Sequence, residues 1–121
     1  MTKNILIIED TPMHLTKLSD LLSEYELRVA TSGSKGIELA NKHKFDLILL
    51  DILMPDMSGY EVLKHLKQNH VTKEIPVILI TSMDSTEAEY IGLEAGAIDF
   101  IKKPFSDQIV MSRIKIHLKR A

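Results

Sequence analysis

The segment Asp46-Leu47-Ile48-Leu49-Leu50-Asp51-Ile52-Leu53-Met54-Pro55 decides the fold. Its continuous apolar run, 47–50, fits a strand buried on both faces, which is how a parallel strand reads. Asp51 comes directly after it, inside an otherwise apolar stretch, where a carboxylate is costly unless something stabilises it. Working outward, the same short pattern recurs in Ile5-Leu6-Ile7-Ile8 and Val77-Ile78-Leu79-Ile80. Residues 98–101, interrupted by Asp99, form a weaker fourth case. Leu27-Arg28-Val29-Ala30 is the weakest, with a charge inside it, as an edge strand allows.

Amphipathic stretches separate these runs. Leu15, Leu18, Leu22 and Tyr25 recur at three- and four-residue steps, as do Val62, Leu63 and Leu66, and Val110, Ile114 and Leu118. Start signals accompany them. Thr11-Pro12 places an N-cap hydroxyl before a first-turn proline, and Ser58 with Glu61 reads as a capping box. Ser34, Ser106 and the Asp84-Ser85-Thr86 cluster are further candidate caps, and Gly96 stands where a helix end needs a left-handed residue. The expected elements are strand 4–8, helix 12–24, strand 27–30, helix 35–43, strand 46–50, helix 59–69, strand 76–80, helix 86–95, strand 98–101 and helix 106–119. Strict alternation predicts an α/β fold, a parallel sheet with helices on both faces.

Composition agrees with one globular domain over residues 1–121: 45% hydrophobic, 26% charged, with no cysteine and a net charge of -2. The lack of cysteine removes disulfide scaffolds, thiolate metal sites and cysteine nucleophiles. Near-neutral charge argues against a polyanion as the main partner, so no direct DNA binding is expected. No apolar run approaches the ~20 residues of a membrane span, and the apolar start is too short for a signal-peptide core. A cytoplasmic protein is expected.

In an open parallel sheet, sites form beyond the carboxyl ends of the strands, where strand order reverses. Glu9-Asp10 come after the first strand, Asp51 after the third, Thr81-Ser82 after the fourth and Lys102-Lys103-Pro104 after the fifth. Three carboxylates converging on one pocket repel, and a hard divalent cation relieves that cost. Carboxylates, magnesium, a lysine and a hydroxyl are the parts that position and neutralise a transferring phosphoryl group. Asp51 is the nucleophile so placed, and carboxylates form aspartyl-phosphates.

These residues resemble the receiver domain of two-component response regulators, including the single-domain, chemotaxis-regulator-like members. The resemblance covers the whole chain. It rests on Glu9-Asp10, the segment Leu50-Asp51-Ile52-Leu53-Met54-Pro55-Asp56-Met57-Ser58-Gly59, Ile80-Thr81-Ser82, and Phe100-Ile101-Lys102-Lys103-Pro104-Phe105. It implies a flavodoxin-like sheet of order 2-1-3-4-5. It implies Asp51 as phosphoacceptor, with Mg2+ (or Mn2+ in its place) held by Asp10, Asp51, the Leu53 carbonyl and, through water, Glu9. Thr81 resembles the switch hydroxyl, Lys103 the phosphoryl-binding lysine ahead of a cis proline, and Phe100 the aromatic switch residue. Glu9 departs from the Asp of many members, which changes reach but not charge. The implied donor is a sensor histidine kinase or histidine phosphotransfer protein. The implied output is a face formed by helix 4, strand 5 and helix 5, read by a downstream protein, with the chain a monomer or weak dimer. The chain is then not an enzyme beyond assisting its own phosphoryl transfer and autodephosphorylation.

Apolar Leu53 and Met83 are expected to flank the approach of water to the site. His14, His43, His65, His70 and His117 share no compact metal spacing and read as scattered surface residues. Arg113, Lys115, His117, Lys119 and Arg120 read as a solvated helix face with cations near the C-terminal dipole. Two other contexts stay open: a receiver cut from a larger regulator with a diguanylate cyclase or kinase output, and a pseudo-receiver that works without phosphorylation. An aspartyl-phosphate phosphohydrolase would want an acid where Leu53 stands, and a flavin site would want no acids after the first strand. No G-x-G-x-x-G comes after any strand.

Overall fold

The structure is a computed structural model that describes residues 2–82 and 86–119. Five strands, β1 (Asn4–Ile8), β2 (Glu26–Ala30), β3 (Leu47–Leu50), β4 (Val77–Thr81) and β5 (Asp99–Lys102), pair in parallel in the order β2-β1-β3-β4-β5. The helices α1 (Pro12–Leu21), α2 (Gly33–Lys42), α3 (Gly59–Gln68), α4 (Thr86–Glu94) and α5 (Asp107–Lys119) alternate with them. The flavodoxin-like α/β arrangement is therefore the one expected. The strand with Arg28 is indeed an edge, with a largely exposed pattern, whereas β3 is buried at every position.

The continuous apolar runs divide by strand periodicity into two cores. Leu6, Ile8, Ile48, Leu50, Leu79 and Phe100 face α2, α3 and α4. Ile5, Ile7, Leu47, Leu49, Ile78 and Ile101 face α1 and α5. With about 25 cal/mol gained per Å² of apolar surface removed from water, these two layers are the main force holding the helices to the sheet.

Differences from the expected boundaries have local causes. The α1 pattern runs to Tyr25, but the helix stops at Leu21 because Leu22 takes a non-helical conformation and its carbonyl accepts from the Tyr25 N–H in a tight turn. Thr11 is the N-cap residue of α1 and Pro12 its first helical residue, yet the Thr11 side chain makes no capping bond. The N-cap of α2 is Ser32, not Ser34; its oxygen accepts from the Lys35 N–H at 3.2 Å, and the helix starts two residues early. Ser34 is occupied otherwise. Its N–H, its hydroxyl and the Gly33 N–H all bond the carboxylate of Asp56, which caps α2 from the β3–α3 loop. These bonds hold the Asp56 carboxyl below its ordinary pKa. The Ser58–Glu61 capping box is present as expected, and Ser106 caps α5 through the Ile109 N–H. Asp84 and Ser85 lie outside the described residues. Gly96 has φ +111°, the left-handed conformation its position required.

Of the residues expected on a solvated face, Arg113 is exposed though paired with an acid, and His117 is buried instead. His117 is buried, and its Nε2 lies 3.0 Å from Asp99 Oδ2. Arg113 reaches the same carboxylate at 3.2 Å. Burial alone would raise the Asp99 pKa, but bonds from His117, the Phe100 N–H and Arg113 outweigh it and hold the carboxyl low. The last helix is thus tied to β5 by charge as well as by Val110 and Ile114, and its basic face is not wholly solvated.

One glycine couples the fold to the loop after β3. A Cβ on Gly59 would lie 2.5 Å from the Asp51 carbonyl oxygen and 2.6 Å from the Ile52 Cα. Both are backbone atoms that no rotamer change can move aside. Gly59→Ala is expected to destabilise by about 1–3 kcal/mol, the usual cost of overpacking. Thermal unfolding checks this; a Tm equal to that of the native chain would mean that the loop yields freely.

Candidate functional site

Strand order reverses between β1 and β3, so their carboxyl ends open a crevice. Backbone bonds fix the residues just past them. The Asp51 N–H donates to the Ile8 carbonyl at 3.0 Å, which places Asp51 beside Glu9. The Lys103 N–H donates to the Thr81 carbonyl at 2.8 Å, which places the lysine beside Thr81. Four strand ends thereby deliver one cluster.

Within it Glu9 is fully buried and Asp51 nearly so. The ammonium of Lys103, itself 7% exposed, lies 2.6 Å from Glu9 Oε1 and 3.4 Å from Asp51 Oδ2. The second Glu9 oxygen accepts from the Thr11 N–H, and Asp51 Oδ1 accepts from the Leu53 N–H. Burial raises the Asp51 pKa, and the neighbouring Glu9 carboxylate raises it further; Lys103 and the Leu53 N–H oppose them without prevailing.

Glu9, Asp10 and Asp51 each offer an oxygen, and these oxygens lie within 4.8 Å of one another. Ligands about 2.1 Å from a shared octahedral ion stand roughly 3–4 Å apart. Hard oxygen donors at this spacing, carrying more negative charge than one lysine offsets, suit a magnesium ion.

Of the other expected residues, Thr81 ends β4 and is fully buried. Phe100 is buried on the α4 side of the sheet, near Gly92. Lys103-Pro104 is cis. Lys102 is exposed, so Lys103 is the lysine of the cluster. Leu53 is 51% exposed beside Asp51, and Met83 lies outside the described residues.

Sequence reasoning missed His14. Spacing alone groups it with scattered surface histidines, yet its Nδ1 stands 2.8 Å from Lys103 Nζ and 3.8 Å from Glu9 Oε1. The signal that could have found it was position rather than spacing: His14 lies in the first turn of the helix that leaves the acidic pair.

The family model of the response regulator receiver domain matches residues 5–115. The chain belongs to this family. This receiver domain is 41% identical over 116 residues to a probable cyclic di-GMP phosphodiesterase of Vibrio cholerae, covering 95% of the chain and 26% of that protein. It is 33% identical over 112 residues to protein PilH of Pseudomonas aeruginosa, covering 91% of the chain and 93% of PilH. A crystal structure of a CheY-like response regulator receiver domain protein from Methanospirillum hungatei superposes with a TM-score of 0.92 at 30% identity, covering 99% of the chain and 96% of that protein. The receiver spans 26% of the cyclic di-GMP phosphodiesterase and of response regulator PleD, and 50% of a Bacillus subtilis transcriptional regulator. No helix among the described residues is long and apolar enough to cross a membrane.

The raised Asp51 pKa has a definite sign for stability. Folding favours the protonated carboxyl, so this group's contribution is greatest below the unfolded pKa of about 3.9 and declines as pH rises through the higher folded value. Asp51→Asn removes the charge at nearly constant shape. Its Tm in metal-free buffer is expected to exceed that of the native chain at pH 7, with the gap shrinking toward pH 4. Thermal melts across that range check it, and a lower Tm for the variant at pH 7 would contradict it.

Proposed function

We propose that this receiver accepts a phosphoryl group on Asp51 from a phosphohistidine of a sensor histidine kinase or phosphotransfer protein, in the cytoplasm. The observation that carries the reading is the nearly buried Asp51 carboxylate, with the Lys103 ammonium and the acidic pair beside it. A carboxylate so desolvated is a better nucleophile than one in water, and its surroundings suit the charge that transfer brings.

An Asp51 oxygen attacks phosphorus, the O–P bond forms, and the N–P bond of the donor breaks. The electron pair of that bond leaves on the donor imidazole, which takes up a proton. Lys103 offers N–H donors to the phosphoryl oxygens, and the Thr81 hydroxyl offers another. Asp10, Asp51, the Leu53 carbonyl and, through water, Glu9 would hold Mg2+ or Mn2+. When bound, that ion supplies charge neutralisation and alignment of the phosphoryl oxygens.

Engagement of Thr81 with the phosphoryl group shifts it toward Asp51, and the Phe100 ring takes up the space behind it. The face of α4, β5 and α5 changes shape with these two residues. Exposed Tyr90, Ile91 and Leu93 on α4 provide apolar surface there for a downstream protein to read. A full reversal of a two-state equilibrium needs about 5.5 kcal/mol of differential stabilisation. Several charge-assisted hydrogen bonds to the phosphoryl group supply a good part of that. One observation favours a second context: the receiver forms 26% of the length of some relatives, so its output could be a further domain rather than a separate protein.

Incubation with magnesium and a small acyl phosphate, with intact-mass measurement afterwards, tests the reading. A gain of one phosphoryl group is expected, lost in Asp51→Asn and lost when the metal is chelated. No gain in the native chain would favour a phosphorylation-independent receiver. Leu53 is expected to slow hydrolysis by excluding water, so Leu53→Asn should shorten the phosphoryl lifetime severalfold in a mass time course; an unchanged lifetime would remove Leu53 from the account.

A further inference from the structure

The proposed phosphoryl transfer uses two of the three acceptors around Lys103 and leaves His14 without a task. The lysine ammonium has three protons and no lone pair. Among the described residues its acceptors are Glu9 Oε1 at 2.6 Å, His14 Nδ1 at 2.8 Å and Asp51 Oδ2 at 3.4 Å. At 2.8 Å from a group that can only donate, Nδ1 must accept, which assigns the ring proton to Nε2.

His14 is the third residue of α1, a helix whose first residue is Pro12 and whose first turn is closed by the Leu15 N–H on the Thr11 carbonyl at 3.0 Å. The imidazole is therefore carried by a rigid element, whereas the lysine reaches the site on a flexible four-carbon stem. The His14 side chain is 35% exposed. With Met13, Lys17, Lys103, Pro104 and Phe105 it lines a groove of about 210 Å³ beside the cluster. The Lys103 ammonium thus sits between the buried acids and an opening.

The acids and the imidazole differ in what becomes of them during transfer. Asp51 gives an oxygen to phosphorus, and Glu9 belongs to the acidic group suited to a metal. Both contacts with Lys103 loosen when those oxygens find other partners. The Nδ1 contact has no competing use.

We propose that His14 is a positioning residue for Lys103: its Nδ1 accepts one ammonium proton and holds Nζ at the mouth of the site, leaving two protons directed to the phosphoryl oxygens on Asp51. This rests on Asp51 being the phosphoacceptor, and His14 touches the transferring group only through the lysine.

The test is the rate of phosphoryl uptake from acetyl phosphate with magnesium, measured by intact mass, for the native chain, His14→Ala and His14→Asn. His14→Ala is expected to slow uptake about three- to tenfold, the size carried by one hydrogen bond. His14→Asn, whose side-chain oxygen stands near the place of Nδ1, is expected to recover most of that loss. A purely structural role would move Tm with the rate in both variants, whereas the proposal requires the rates to separate while the two Tm values stay together. Equal rates for His14→Ala and the native chain would overturn the proposal and leave the phosphoacceptor role of Asp51 standing. Equal slowing in both variants would also overturn it. An unlabelled native chain would overturn the phosphoacceptor role of Asp51 and this proposal together.

Discussion

An ammonium pinned between two buried carboxylates is the constraint on which the site depends. Removing either carboxylate or ammonium from water costs several kcal/mol per ion even after relaxation. The cluster is tolerable because Lys103 stands 2.6 Å from Glu9 and because backbone N–H groups satisfy further oxygens of Glu9 and Asp51. It is not neutral. Three clustered acids outnumber the one lysine, and the Asp51 pKa stays raised. A site with surplus negative charge and fixed oxygens is prepared for a cation, and a site with a nearby lysine is prepared for an anion. The proposed phosphoryl transfer would use both in turn.

The sheet makes this arrangement possible. Apolar residues on both faces of β1, β3 and β4 hold the strands rigidly, so the residues just past their ends are placed by backbone pairing rather than by loop packing. The Ile8–Asp51 and Thr81–Lys103 backbone bonds tie the strand ends in pairs. The β3–α3 loop is restrained from two further directions: Gly59 packs against the Asp51 and Ile52 backbone, and Asp56 caps α2. Disturbance of the loop that carries Asp51 would therefore be felt in two helices.

Much of this is legible in the residues, for physical reasons. Continuous apolar runs cannot be anything but buried, and their alternation with amphipathic stretches leaves few topologies. Parallel strands deliver their trailing residues to one edge, so Glu9, Asp10, Asp51, Thr81 and Lys103 group together without coordinates. Helix boundaries are less legible. Ser32 and Ser34 have the same capping chemistry, and the choice between them turns on Asp56, 22 residues after Ser34, claiming the second serine. His14 and His117 escape a sequence reading because neither has a partner nearby in the chain. The partner of His14 is Lys103, 89 residues away, and that of His117 is Asp99, across the α5–β5 packing.

The sequence by itself determined the α/β alternation, the parallel sheet and the identity of the acids, hydroxyl and lysine at its carboxyl edge, because period and strand direction are local properties. Only the tertiary structure decided which side chains meet. It buried Glu9 against Lys103, set a histidine on the lysine's open side, and tied α5 to β5 through Asp99. Those contacts join residues far apart in the chain, and their geometry is set by helix placement over the sheet, which no local pattern encodes.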